Sequence, residues 1–205
     1  MDIRERILGR AQELFNRYGF RKVTMDEIAF KTGMSKKTIY QCFATKDEIV
    51  DAFVEELITK SVSSCRKSSI EAENVVHEAY LNIDMMKRLM TDMNPIVLDD
   101  LEKFFPAVFA KFFEHKHNFI SEKVKVNLEA GIKEGFYRSD LNVDVITKFR
   151  LETMFVPFNQ NVFPYSEYSL IDVQIEILEL FLYGICTPKG QELIEKYKQQ
   201  RLNNK

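Results

Sequence analysis

One stretch limits what this chain can become more than any other. Residues Thr24 to Phe43, TMDEIAFKTGMSKKTIYQCF, read as two short helices joined by a tight turn. Thr24 and Glu27 have the spacing of a capping box, in which the Thr hydroxyl accepts the Glu27 amide and the Glu27 carboxylate reaches back. Ile28 and Ala29 give that helix an apolar side, and Gly33 supplies the permissive backbone that ends it. Ser35 then caps a second helix running from Lys36 to Phe43. On it Ile39 and Phe43, four apart, point into a core, while Lys37 and Gln41, also four apart, point the other way beside Thr38 and Tyr40. A helix this short is marginal alone. Presenting long donors away from its apolar anchors suits a recognition helix in the DNA major groove.

At these residues the sequence resembles the TetR family of bacterial one-component regulators. The matching pattern is Ala11, Leu14-Phe15, Gly19-Phe20, Thr24-Met25, Ile28-Ala29, Gly33, Ser35-Lys36, Thr38-Ile39-Tyr40, Phe43 and Lys46, in one register without gaps; Cys42 departs from it. The resemblance implies an all-α protein in two parts. Residues 1–61 would be a three-helix DNA-binding head with its helix-turn-helix at 24–43, and 62–205 a helical effector-binding and dimerisation body.

Charge agrees with that division. Residues 1–50 carry 10 Lys/Arg against 7 Asp/Glu, a net +3, whereas the whole chain of 205 residues is at −2. A basic head on an acidic body fits phosphate binding at one end. Lys37 and Gln41 are expected to read bases, with Thr24, Ser35, Lys36, Thr38, Tyr40 and Lys46 holding the backbone and setting register. Lys46 sits in the first turn of the next helix, against the helix dipole, and a phosphate there would remove the conflict.

The remaining chain shows helical periodicity and no strand pattern. Helix one is expected over Ile3 to Tyr18. Ser61 to Ser69, SVSSCRKSS, is the one compositional break, so the head is expected to end near it, with Ser68 to Glu71 opening the next helix toward Met93. Asn94-Pro95 starts a short helix to Phe104, Pro106 a long one closing at Gly135, Asn142 another to about Val156, and Thr187-Pro188 the last, with a fraying tail from Gln199. The segment Leu170 to Ile185 is apolar around most of its circumference. A partner subunit is the expected cover for part of it, giving a homodimer through this helix and Val143–Val156, with Phe149, Leu178, Phe181 and Leu182 in the interface.

A small, largely apolar effector is expected in the body among Tyr80, Met86, Met90, Phe109, Phe112, Phe113 and Phe155, where Phe and Met are dense. The alternative is a DNA-bound structural or protein-partner factor with the same head and no small-molecule pocket. Catalytic and metal sites are not expected. Glu114 and His117 form one ExxH, but the di-iron arrangement needs two, and no Gly-rich phosphate loop, GxSxG or HExxH occurs. No cofactor is called for. Three unpatterned cysteines, a charged N-terminus and no membrane-length apolar run give the expectation of a reduced, cytoplasmic protein without membrane contact.

Overall fold

Four of the helices begin where a side chain accepts from one of the free amides. Thr24, Ser35, Asn142 and Ser169 accept from the third residue beyond them, at 3.1–3.4 Å. The computed structural model describes residues 2–90 and 93–203, with side chains at 2–88 and 93–201. Among these residues the protein is all-α: α1 Ile3–Tyr18, α2 Met25–Thr32, α3 Lys36–Cys42, α4 Lys46–Glu71, α5 Val75–Met90, α6 Ile96–Phe104, α7 Pro106–His115, α8 Ser121–Lys133, α9 Val143–Thr153, α10 Leu170–Ile185 and α11 Pro188–Asn203. A π-helical turn, Lys116–Ile120, joins α7 to α8, and a 3-10 turn, Val156–Phe158, follows α9. One isolated antiparallel bridge links Tyr137 to Cys186.

Two elements differ from the sequence reading. The serine-rich stretch does not interrupt α4, which continues to Glu71, where Lys67 and Glu71 pair at 3.7 Å one turn apart. Serine is an indifferent helix former and no breaker, so a change of composition here is no change of conformation. The true cap is Asn74, whose Oδ1 accepts the His77 amide at 2.9 Å and opens α5. Likewise the polar stretch expected to fray from Gln199 stays in α11 as far as Asn203. Arg201, inside it, is tied to Asp84 at 2.9 Å.

The chain forms two compact units that do not follow a single cut. The first contains residues 1–61 and 91–113; the second contains 62–90 and 114–205. Thus the segment carrying α6 and most of α7 belongs with the head, not with a contiguous body 62–205.

The first core is aromatic. Phe15, Phe20 and Phe53 meet edge to face at 5.0–6.0 Å, and Phe105 joins Phe20 at 5.9 Å. Val97, Leu101, Phe105 and Val108 complete it from the returning segment. Asp100, buried among them, accepts the Arg21 amide at 2.9 Å and so fixes the turn after α1. Gly19 makes this approach possible: its φ is 80°, and a Cβ there would lie 2.6 Å from the Asp100 carboxylate and 2.8 Å from Ile96. Lys111 closes the same face by pairing with Asp51 and Glu55.

The second core is built by α5, α8, α10 and α11 around Val76, Tyr80, Leu128, Tyr137, Leu178, Leu182 and Ile194. Tyr137 lies against Gly131, where any Cβ would meet its ring at 2.1 Å. Its hydroxyl donates to Asn127 Oδ1 at 3.0 Å, and Asn127 in turn donates to Glu78.

Candidate nucleic-acid interface

The geometry of α2 and α3 follows from their caps. Both halves of the Thr24–Glu27 box are formed: the Glu27 amide donates to Thr24 Oγ1 and the Thr24 amide to Glu27 Oε2, at 3.2 and 2.7 Å. Gly33, at φ 67°, ends α2 with its amide bonded to the Ala29 carbonyl. Arg6 reaches from α1 to the Thr32 carbonyl at 2.9 Å, tying the end of α2 to the first helix.

Helix α3 then divides sharply by face. Ile39 and Phe43 are 0% and 1% exposed, whereas Lys37, Tyr40 and Gln41 stand in solvent. Burial of the first pair fixes the rotation of the helix, so the second set projects outward from a rigid support. Arg4, stacked 4.5 Å over the Phe43 ring, braces the end of α3.

The other expected contact residues hold specific partners. Lys36 pairs with Asp26 at 2.6 Å, and that bond holds its ammonium above the usual lysine range. Ser35 and Thr38 share a hydrogen bond between hydroxyls at 2.9 Å, with Ser35 and Thr24 exposed and Thr38 half-buried. Lys46 is half-buried: its Nζ donates to the Arg21 carbonyl at 3.3 Å and lies 5.6 Å from the Phe105 ring centroid. Burial lowers its pKa, against the pull of Asp100, Asp47 and Glu27. The conflict with the α4 dipole is thus met by a carbonyl within the protein. At the start of α4 the Glu48 amide donates to Thr45 Oγ1 at 3.3 Å, and the Glu48 carboxylate accepts from the Ala44 amide at 2.7 Å.

Sequence reasoning missed Phe30, which stands 90% exposed on α2 beside the turn into α3. Its apolar side chain interrupts no visible stripe in an eight-residue helix, so periodicity gave no signal.

The residues expected to line an effector site are divided between the two units. Phe109, Phe112 and Phe113 belong to the first unit, where Phe109 packs on the other two at 6.1–6.4 Å. Tyr80, Met86 and Phe155 belong to the second, and Met90 lies outside the described side chains. Phe155 packs under the Lys116 ammonium, 4.6 Å away, while Lys116 pairs with Glu152 at 3.0 Å. An open groove of about 430 Å³, lined by Phe163, Tyr168, Ser169, Asp172, Val173 and Ile177, contains none of them.

The dimer expectation needs one correction. Leu178 and Leu182 are 2% and 1% exposed within a single chain, packed in the second core, and are not available to a partner. The outward apolar residues of these helices are Val145 and Phe149 on α9 and Leu180 on α10, with Phe181 half-buried and stacked on Phe149 at 6.4 Å. Among the described residues no group of His, Cys, Asp and Glu is placed to hold a metal ion, and no helix is long and apolar enough to cross a membrane.

A capped α2, a glycine turn and an α3 that buries one face while exposing Lys37, Tyr40 and Gln41 define a helix-turn-helix DNA-binding head. Residues 7–53 match the family model of "Bacterial regulatory proteins, tetR family". The chain is similar to the HTH-type transcriptional repressor KstR2 of Rhodococcus jostii (strain RHA1), 26% identical over 90% of this chain and 92% of that one. It is also similar to the HTH-type transcriptional regulator YdgC of Bacillus subtilis (strain 168), 27% identical over 94% and 97%. Its fold resembles that of a transcriptional regulator from Saccharomonospora viridis solved in complex with choline, with a TM-score of 0.76 and 16% identity over 90% of this chain and 97% of the other.

Proposed function

We propose that this protein is a homodimeric, ligand-responsive transcriptional repressor that binds a near-palindromic operator. The observation that carries the reading is the division of α3, where the buried Ile39 and Phe43 aim Lys37 and Gln41 outward. Lys is suited to guanine O6 and N7, and Gln to adenine N6 and N7. Thr24, Ser35, Lys36, Thr38, Tyr40 and Lys46 hold phosphates; Lys36 leaves Asp26 to do so, and Lys46 leaves the Arg21 carbonyl.

A helix-turn-helix protein reads two half-sites when its heads are paired by a two-fold axis. The exposed Val145, Phe149 and Leu180 support pairing through α9 and α10. The likeness to a KstR2 repressor supports the sign of regulation, and the likeness to a choline-bound regulator supports a small-molecule effector for this chain. An effector acts only by preferring the conformation whose heads no longer match adjacent major grooves.

Selection of binding sites from random duplex DNA tests this. An inverted repeat should be enriched, with half-sites one helical turn or a multiple apart. No enrichment, or a single half-site bound by monomers, would refute the proposal.

A further inference from the structure

The second unit buries a cation that has no anion. Arg150, on α9, is 7% exposed, and among the described residues it makes no ion pair. Its Nη1 is shut off from solvent without a partner. The contact it does make is with the Phe181 ring, 5.3 Å from centroid to guanidinium carbon. Tyr137, its electrostatic neighbour, is kept protonated by burial and donates its hydrogen to Asn127. Burial also draws Arg150 down to about 10, which still leaves it charged at neutral pH. A guanidinium nitrogen removed from water without an acceptor is costly for a fold to retain.

Four carboxylates of this unit are engaged with other groups. Glu152 pairs with Lys116, Glu179 with Lys198, Asp144 with Lys148, and Glu78 accepts from Asn127. None turns to Arg150. Meanwhile Thr147, one turn earlier on the same face of α9, is 5% exposed, and its hydroxyl also has no partner. On α10 the 1% exposed Gln174 leaves its Oε1 unpaired, two turns from Phe181 along one helix face. Unspent polar groups therefore lie on both α9 and α10 in an otherwise apolar interior.

We infer that Arg150 and Thr147 receive the oxyanion head of an amphipathic ligand, a carboxylate joined to an apolar body. The planar guanidinium accepts a carboxylate in two parallel bonds, and the Thr147 hydroxyl adds a third donor from the preceding turn. Phe181, beside the guanidinium, and the exposed Phe149 stacked on it offer the apolar part its surface. This rests on the ligand-responsive reading and narrows it: an unpaired buried cation selects against cationic ligands and against neutral esters.

The test uses the full chain and three probes of matched length: decanoate, methyl decanoate and decyltrimethylammonium. Calorimetric titration should give decanoate at least about tenfold tighter binding than either other probe. Arg150→Met should bring decanoate down to the level of the ester, and Arg150→Lys should recover part of the preference. Ligand-free Arg150→Met should melt at or above the wild-type temperature, since a buried unpaired charge has gone. The inference is overturned if decanoate binds no better than the others, if none of the three binds, or if Arg150→Met keeps the preference. It is equally overturned if ligand-free Arg150→Met melts well below wild type or falls into monomers, because the guanidinium then already has a protein partner. Operator release separates the two levels. Release by the ester or the ammonium alone removes only the anionic class, whereas operator affinity indifferent to a broad, chemically unrelated panel removes ligand response itself.

Discussion

Replacing Asp100 by Ala should loosen the DNA-binding unit without touching any residue that faces DNA. Its carboxylate accepts the Arg21 amide at 2.9 Å from a position 6% exposed, and it helps hold the charge of Lys46 at the start of α4. Removing the acceptor leaves a part-buried N–H unpaired. A hydrogen bond to a charged group contributes about 1.5–3 kcal/mol, and an orphaned buried donor costs a similar amount. With roughly 2–4 °C lost per kcal/mol in a protein of this size, the unit should melt about 3–12 °C lower. Asp100→Asn keeps an acceptor and loses the charge, so its loss should be about half as large. Because the two units need not unfold together, hydrogen exchange of the amides at 19–23 and in α2 should be followed beside circular dichroism. Both variants melting like wild type, with exchange at Arg21 unchanged, would refute the claim that α6 holds this turn.

Gln41→Ala should weaken operator binding by about 1–3 kcal/mol and relax preference at one base pair, read by selection on degenerate half-sites; an unchanged preference removes Gln41 as a base reader. Phe149→Asp with Leu180→Asp should give soluble monomers by sedimentation, because both side chains already face solvent. Leu178→Asp should instead give unfolded or insoluble protein, as a charge placed in the second core would have no partner; a soluble folded Leu178→Asp monomer would reverse the corrected assignment. Gly131→Ala should destabilise the second unit by about 1–3 kcal/mol in thermal melts, because the new methyl would meet the Tyr137 ring.

What could be read from the sequence was local. Thr24, Ser35 and Asn142 announce their helices because a cap acts within three residues, and Leu170–Ile185 announces itself by its apolar circumference. Ser68 to Glu71 imitated a cap inside a continuing helix, since no short pattern reports whether the previous helix has ended. Which apolar residues of α10 stay on the surface was out of reach: Leu178 and Leu180 lie two apart on one helix, one 2% and the other 76% exposed. Arg150 reads as an ordinary basic residue near a helix end, and only tertiary packing makes it a buried charge. The same holds for Asp100, indistinguishable in sequence from its exposed neighbour Asp99.

The partition of residues 91–113 into the first unit bears on how the molecule is made. A ribosome releases residues 1–61 long before Val97, Leu101, Phe105 and Val108, so the nascent head leaves with its aromatic cluster only partly covered. Synthesis at about 5–20 residues per second makes that interval seconds long. The first core is therefore completed only after α6 and the start of α7 have emerged, and premature termination before that point yields a chain without Val97, Leu101, Phe105 and Val108. Expression of residues 1–61 alone is accordingly a poor source of a working DNA-binding fragment, whereas a chain reaching residue 113 contains every residue of the first core.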